Sequence, residues 1–130
     1  MPREVLRTDR APVSPLYAQG VKHGQYVFVS GMVGIDPARG ELAGPTIQEQ
    51  TIQSLTNCFA VLEAGGAGID DVVEVGVLLT DHDDFSGMNE VYASAFKPPY
   101  PARSTVEIGR LPGGMLLEIE CIAFAERKNP

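Results

Sequence analysis

Apolar positions recur with two different periods along this chain, and the change from one to the other marks out its elements. Over residues 102–108 β-branched residues alternate with polar ones, and over residues 115–125 the apolar positions are nearly continuous. Both stretches read as strands, joined by a turn at Leu111-Pro112-Gly113-Gly114. Upstream, Val5-Leu6-Arg7 suits a short first strand, followed by a Pro-rich connection. Residues 17–21 and 26–30 read as two more strands, with Lys22-His23-Gly24-Gln25 as the hairpin turn between them. Gly31, Gly34, Pro37, Gly40, Gly44 and Pro45 predict a long loop, and residues 72–79 are apolar and β-branched enough for an interior strand.

Between these stretches the period lengthens. Thr46-Ile47-Gln48-Glu49 matches a capping box, in which hydroxyl and carboxylate each satisfy an orphan N–H. Ile52, Leu55, Phe59 and Leu62 then recur at helical spacing until Gly65-Gly66 stops the pattern. Asp83-Asp84 can cap a second helix with Phe85, Met88, Tyr92 and Phe96 on its core side, ending before Pro98-Pro99. The order is strands, helix, strand, helix, strands, with no internal repeat or linker. It predicts one α/β (α+β) domain over residues 1–130, a roughly six-stranded mixed sheet with two helices packed on one face. Two helices cannot cover both faces of such a sheet. The other face must meet something, and for a chain this small a symmetric homo-oligomer is the natural answer.

Composition narrows the function classes. With 130 residues, 44% hydrophobic and 21% charged, the chain has room for a real core and little for a deep internal pocket. No apolar run is long enough to cross a membrane, and the charged start MPREVLRTDRAP does not resemble a secretory signal. Cys58 and Cys121 lie in apolar-periodic segments and suit buried thiols in a reducing cytoplasm. The net charge of −7 and the scattered Lys and Arg argue against nucleic acid as a main partner. His23 and His82 are far apart and neither sits in a metal-ligand spacing.

The informative chemistry lies near the C-terminus. Strand alternation puts Arg103, Thr105 and Glu107 on one face of their strand, and Glu118 and Glu120 on one face of the next. Carboxylates amid Leu116, Leu117, Ile119, Ile122 and Phe124 are costly unless something pairs with them or uses them. Arg103 offers a fixed fork for a planar carboxylate, which proposes a small-acid site on the sheet. The competing reading is a structural ion pair between Arg103 and Glu118 or Glu120. Taken alone, Tyr17 reads as a strand aromatic, Ser30 as a strand end and Asn89 as a solvent-facing helix residue. The aromatic and methionine side of the second helix reads as core.

The segment PARSTVEIGRLPGGMLLEIECIA, with YAQGV at Tyr17, FVSG at Phe28 and MNEVY at Met88, resembles the RidA (YjgF) family of reactive-intermediate imine and enamine deaminases. The likeness covers nearly the whole chain. It implies a chorismate-mutase-like fold, a barrel-like homotrimer with active sites between subunits, and no metal or organic cofactor. The implied activity is hydrolysis of 2-aminoacrylate- and 2-aminocrotonate-type intermediates to 2-keto acids and ammonia. On the same resemblance Arg103 binds the substrate carboxylate and Glu118 positions or activates water. Tyr17, Ser30, Asn89 and Thr105 line the pocket, and Glu120 stays structural. Many members carry cysteine where Thr105 stands and glutamine where Met32 stands, and the loop from Asn89 to Arg103 is shorter here than in the best-known bacterial ones. Two alternatives stand beside this: a non-catalytic sensor or regulator that binds small carboxylates, and a translation inhibitor or ribonuclease, which this acidic chain fits poorly.

Overall fold

The computed structural model describes residues 2–126. Its strands are β1 (Glu4–Leu6), β2 (Gly20–His23), β3 (Tyr26–Met32), β4 (Ile35–Asp36), β5 (Glu41–Leu42), β6 (Val72–Leu79), β7 (Ala102–Glu107) and β8 (Leu117–Phe124). The helices are α1 (Ile47–Ala64) and α2 (Phe85–Ala95), each helix or strand pair separated by turns. Six strands form one mixed sheet in the order β1-β2-β3-β8-β6-β7. Every neighbouring pair is antiparallel except β6 and β7, which run parallel because α2 carries the chain back between them.

Both helices pack on one face, as the patterning predicts. Val75, Val77 and Leu79 of β6 and Leu117, Ile119 and Cys121 of β8 meet Leu55, Cys58, Val61 and Leu62 of α1 and Met88 and Tyr92 of α2. Both cysteines are free and buried. The capping box forms as expected: the Thr46 hydroxyl accepts from the Glu49 N–H, and the Glu49 carboxylate accepts from the Thr46 N–H. The opposite face of the sheet carries Tyr26, Phe28 and Val106, exposed by 47%, 39% and 49%. No helix among the described residues is long and apolar enough to cross a membrane.

Four expectations need correction. The second strand begins at Gly20, not Tyr17. Residues 8–18 instead wrap around the buried Gln19 amide, which accepts from the Thr8 N–H and donates to the Thr8, Ala11 and Pro12 carbonyls. The long loop after β3 contains the small β4–β5 hairpin. Ile52 is 56% exposed. The buried side of α1 includes Gln50, Thr51, Ser54 and Asn57, whose side chains bond to carbonyls, so the inward face cannot be read from apolar residues alone. Finally, β7 and β8 are not neighbours. β6 lies between them, and the turn at Leu111-Pro112-Gly113-Gly114 belongs to a crossing loop.

Candidate active site

The position of β6 decides the geometry of the candidate site. Arg103 pairs in register with Val75, and Val75 lies across from Cys121, so Arg103 shares the helix-covered side. Glu118 lies across from Leu78, one position out of phase, and faces the open side. Within one protomer the two residues therefore occupy opposite faces of the sheet. The ion pair between Arg103 and Glu118 or Glu120 does not form; the ion pairs among the described residues join Arg10 to Glu63 and Arg39 to Asp36 and Glu41.

Arg103 is held by α2. Its Nη1 donates to Asn89 Oδ1 at 2.8 Å, and its guanidinium carbon lies 4.6 Å from the Tyr92 ring centroid and 5.8 Å from that of Phe85. One nitrogen is thus clamped and the plane is stacked, which leaves the rest of the fork for a ligand. Asn89, Tyr92, Ala93, Tyr100, Pro101 and Arg103 line a cleft of about 300 Å³. Asn89 is half-buried in this contact, not solvent-facing. Thr105 lies on the same side, beside Val77, and its hydroxyl is buried without a hydrogen-bond partner among the described residues. The Tyr92 hydroxyl is buried and unpaired as well. Burial raises the Tyr92 phenol above its usual pKa, and the Arg103 charge opposes that shift. Reading this side of α2 as core captured Tyr92's burial and missed its stacking on the arginine. The i, i+3 spacing of Asn89 and Tyr92 is the signal that both reach one point.

Glu118 belongs to a second cleft, of about 310 Å³, lined by Tyr17, Gly31 and Met32, by Val33 and Ile35, and by Leu111, Pro112 and Met115 of the crossing loop. A one-residue bulge between Val29 and Met32 interrupts the β3–β8 ladder, so Gly31 presents bare backbone to the carboxylate. A Cβ built on Gly31 would sit 2.5 Å from the Glu118 carboxyl carbon. Only glycine leaves that space, and the sequence reading missed its role. Burial pushes the Glu118 carboxyl above its usual pKa, and the Glu120 charge adds to the rise. The Ser30 hydroxyl donates to the Ala18 carbonyl at 2.6 Å and the Ser30 N–H to the Gln19 carbonyl at 2.9 Å, which ties the bulge to the segment carrying Tyr17. Among the described residues, no group of three His, Cys, Asp or Glu side chains converges as a metal site would require.

The six candidate residues thus fall into two sets of three. Asn89, Arg103 and Thr105 gather beside α2, and Tyr17, Ser30 and Glu118 gather on the open side. One set can grip a carboxylate. The other holds a carboxyl group of raised pKa in a mostly apolar cleft.

Comparison with known proteins adds four findings. The sequence profile described as Endoribonuclease L-PSP matches residues 8–125. A RutC family protein of Pyrococcus horikoshii is 46% identical over 126 residues, covering 95% of this chain and 99% of that protein. The human 2-iminobutanoate/2-iminopropanoate deaminase is 37% identical over 124 residues, covering 94% and 90%. Among solved structures, E. coli TdcF with bound serine superposes with a TM-score of 0.87 at 39% identity, covering 93% of this chain and 98% of that one.

Proposed function

This chain belongs to the Endoribonuclease L-PSP family, which includes the Rid deaminases, and on that footing we propose that it hydrolyses small 2-imino acids to 2-keto acids and ammonia. The observation that carries the reading is the division of the site. The carboxylate grip and the raised-pKa carboxyl group lie on opposite faces of one sheet. A ligand of a few atoms can touch both only if the Arg103 side of one copy meets the Glu118 side of another. The uncovered sheet face with Tyr26 and Phe28 supports such an assembly, and a homotrimer with three equivalent sites between subunits closes it by symmetry.

The chemistry then follows from what each group can do. An enamine such as 2-aminoacrylate tautomerises to its imine. Arg103, anchored by Asn89 and stacked on Tyr92, binds the carboxylate and fixes the plane of the C=N carbon. An arginine keeps its proton, so it anchors and polarises and does not act as the base. With the imine nitrogen protonated, Glu118 accepts one proton from water as the oxygen adds to the imine carbon and returns it to the amine nitrogen. The C–N bond then breaks as ammonia leaves, and the remaining hydroxyl proton passes to the Glu118 carboxylate as the C=O forms. A carboxyl group of raised pKa suits these transfers, and such help is worth roughly 10²–10⁴-fold. Tyr17 borders the Glu118 cleft, Ser30 anchors the adjoining backbone through the Ala18 carbonyl, and Thr105 brings to the Arg103 side a hydroxyl without a partner among the described residues.

The direct experiment generates the imine in place with an amino-acid dehydratase and serine or threonine, then follows keto-acid release. Wild type should accelerate release over buffer. Arg103→Ala should raise KM by tenfold or more through loss of a charged hydrogen-bond pair worth about 1.5–3 kcal/mol. Wild-type protein no faster than buffer, or Arg103→Ala equal to wild type, would overturn the reading. Binding of a keto acid that survives in Glu118→Gln without turnover in either protein would point to a carboxylate sensor instead. The net charge of −7 opposes an RNA-cleaving role.

A further inference from the structure

The buried polar side of α1 is unusual for a helix packed on a sheet. Gln50, Ser54 and Asn57 are 0% exposed and stand at i, i+4 and i+7, on one helical stripe. Only Ser54 reaches a strand of the main sheet, at the last residue of β3. The Gln50 amide donates to the Gly44 and Gly114 carbonyls, both at 3.0 Å, and accepts from the Leu116 N–H at 2.8 Å. Ser54 donates to the Met32 carbonyl at 2.6 Å, and Asn57 to the Val33 and Ile35 carbonyls at 3.1 and 2.9 Å. Gly34 packs so closely on the helix that a Cβ there would lie 2.7 Å from the Gln50 Cα.

The bonded carbonyls are not scattered. Met32, Val33 and Ile35 form one wall of the Glu118 cleft, and the Gly114–Leu116 backbone carries Met115, which forms the other. Leu116 is also two residues before Glu118, and Thr80 donates to its carbonyl from both N–H and hydroxyl. The backbone at the start of β8 is therefore clamped on both sides, which fixes the phase that puts Glu118 on the open face.

We propose that this stripe is the scaffold of the Glu118 cleft, and that Gln50 is a positioning residue which holds the crossing loop over the carboxyl group. The role rests on the geometry of the cleft, and it holds whatever reaction the cleft performs. The groups facing Glu118 are few. Glu120 shares its strand and is the one other charged group; Pro12, Val13 and Tyr17 come from the N-terminal segment, Gly31 and Met32 from the bulge of β3, Leu78 from β6, and the 33–35 and 111–115 segments bring only apolar side chains. Loosening the loop therefore admits water without introducing or removing a charge.

The test uses Gln50→Met and Gln50→Leu, which remove all three hydrogen bonds of the amide without adding a charge. Val61→Ala, which opens a cavity against Gly20 away from the cleft, serves as a stability control. The first readout is the titration of the Glu118 carboxyl carbon by NMR, assigned by its absence in Glu118→Gln. The Gln50 variants should move this titration down toward the ordinary carboxylate range, while Val61→Ala leaves it in place. The second readout is turnover, where kcat should fall by tenfold or more with KM within about twofold, since Arg103 lies elsewhere. An unmoved Glu118 titration in both Gln50 variants, or an equal shift in Val61→Ala, would overturn the proposal. A moved titration in a protein without imine hydrolysis would uphold it while sinking the deaminase reading.

Discussion

Glu118 and Tyr92 show what single residues contribute. The folded protein binds the Glu118 proton more tightly than the unfolded chain does, because burial and the Glu120 charge raise its pKa. Stability from this group therefore falls as pH rises from the unfolded pKa to the folded one, and the penalty is fully present above the latter. Glu118→Gln should melt higher than wild type at neutral pH while losing roughly 10²–10⁴-fold in turnover. Its advantage in melting temperature should vanish below the ordinary carboxylate range, which melts at a series of pH values would check. Tyr92 carries a buried hydroxyl without a partner among the described residues. Tyr92→Phe should stabilise by about 1 kcal/mol in denaturant titration and leave KM unchanged, since the ring remains under Arg103. Of this scale the sequence reveals the types and the spacing. It does not reveal the stacking of Tyr92 or the empty space at Gly31, because both arise where distant segments meet.

Elements were legible where one signal dominates. The capping box and Gly65-Gly66 bracket α1 closely, and Val72–Leu79 reads as an interior strand and is one. Thr46→Ala should cost about 1 kcal/mol by chemical denaturation, since it removes the side-chain acceptor for the Glu49 N–H. Other boundaries were hidden. Tyr17 falls outside β2 because Gln19 draws the preceding chain around its amide. The inward face of α1 was misjudged at Ile52 because carbonyls of the 32–35 and 114–116 segments satisfy its buried polar residues. Local pattern also gives two C-terminal strands joined by a turn and leaves unsaid that β6 separates them. That insertion determines which faces Arg103 and Glu118 take.

For the whole molecule, the proposed reading makes the two clefts of one protomer half-sites that only a second copy completes. A sheet covered by helices on one face, with Tyr26, Phe28 and Val106 exposed on the other, has surface to place against further copies. If each site joins Arg103 of one copy to Glu118 of the next, Arg103→Ala and Glu118→Gln damage different halves. Unfolding the two impaired variants together in equal amounts and refolding them would produce mixed assemblies, assayed at substrate well below the wild-type KM. About a quarter of the contacts would then pair an intact Arg103 with an intact Glu118, by random assortment in a symmetric ring. The account predicts recovery of imine hydrolysis to about a quarter of the wild-type rate in that mixture. A mixture that assembles normally yet is no faster than the average of the two variants alone would contradict it.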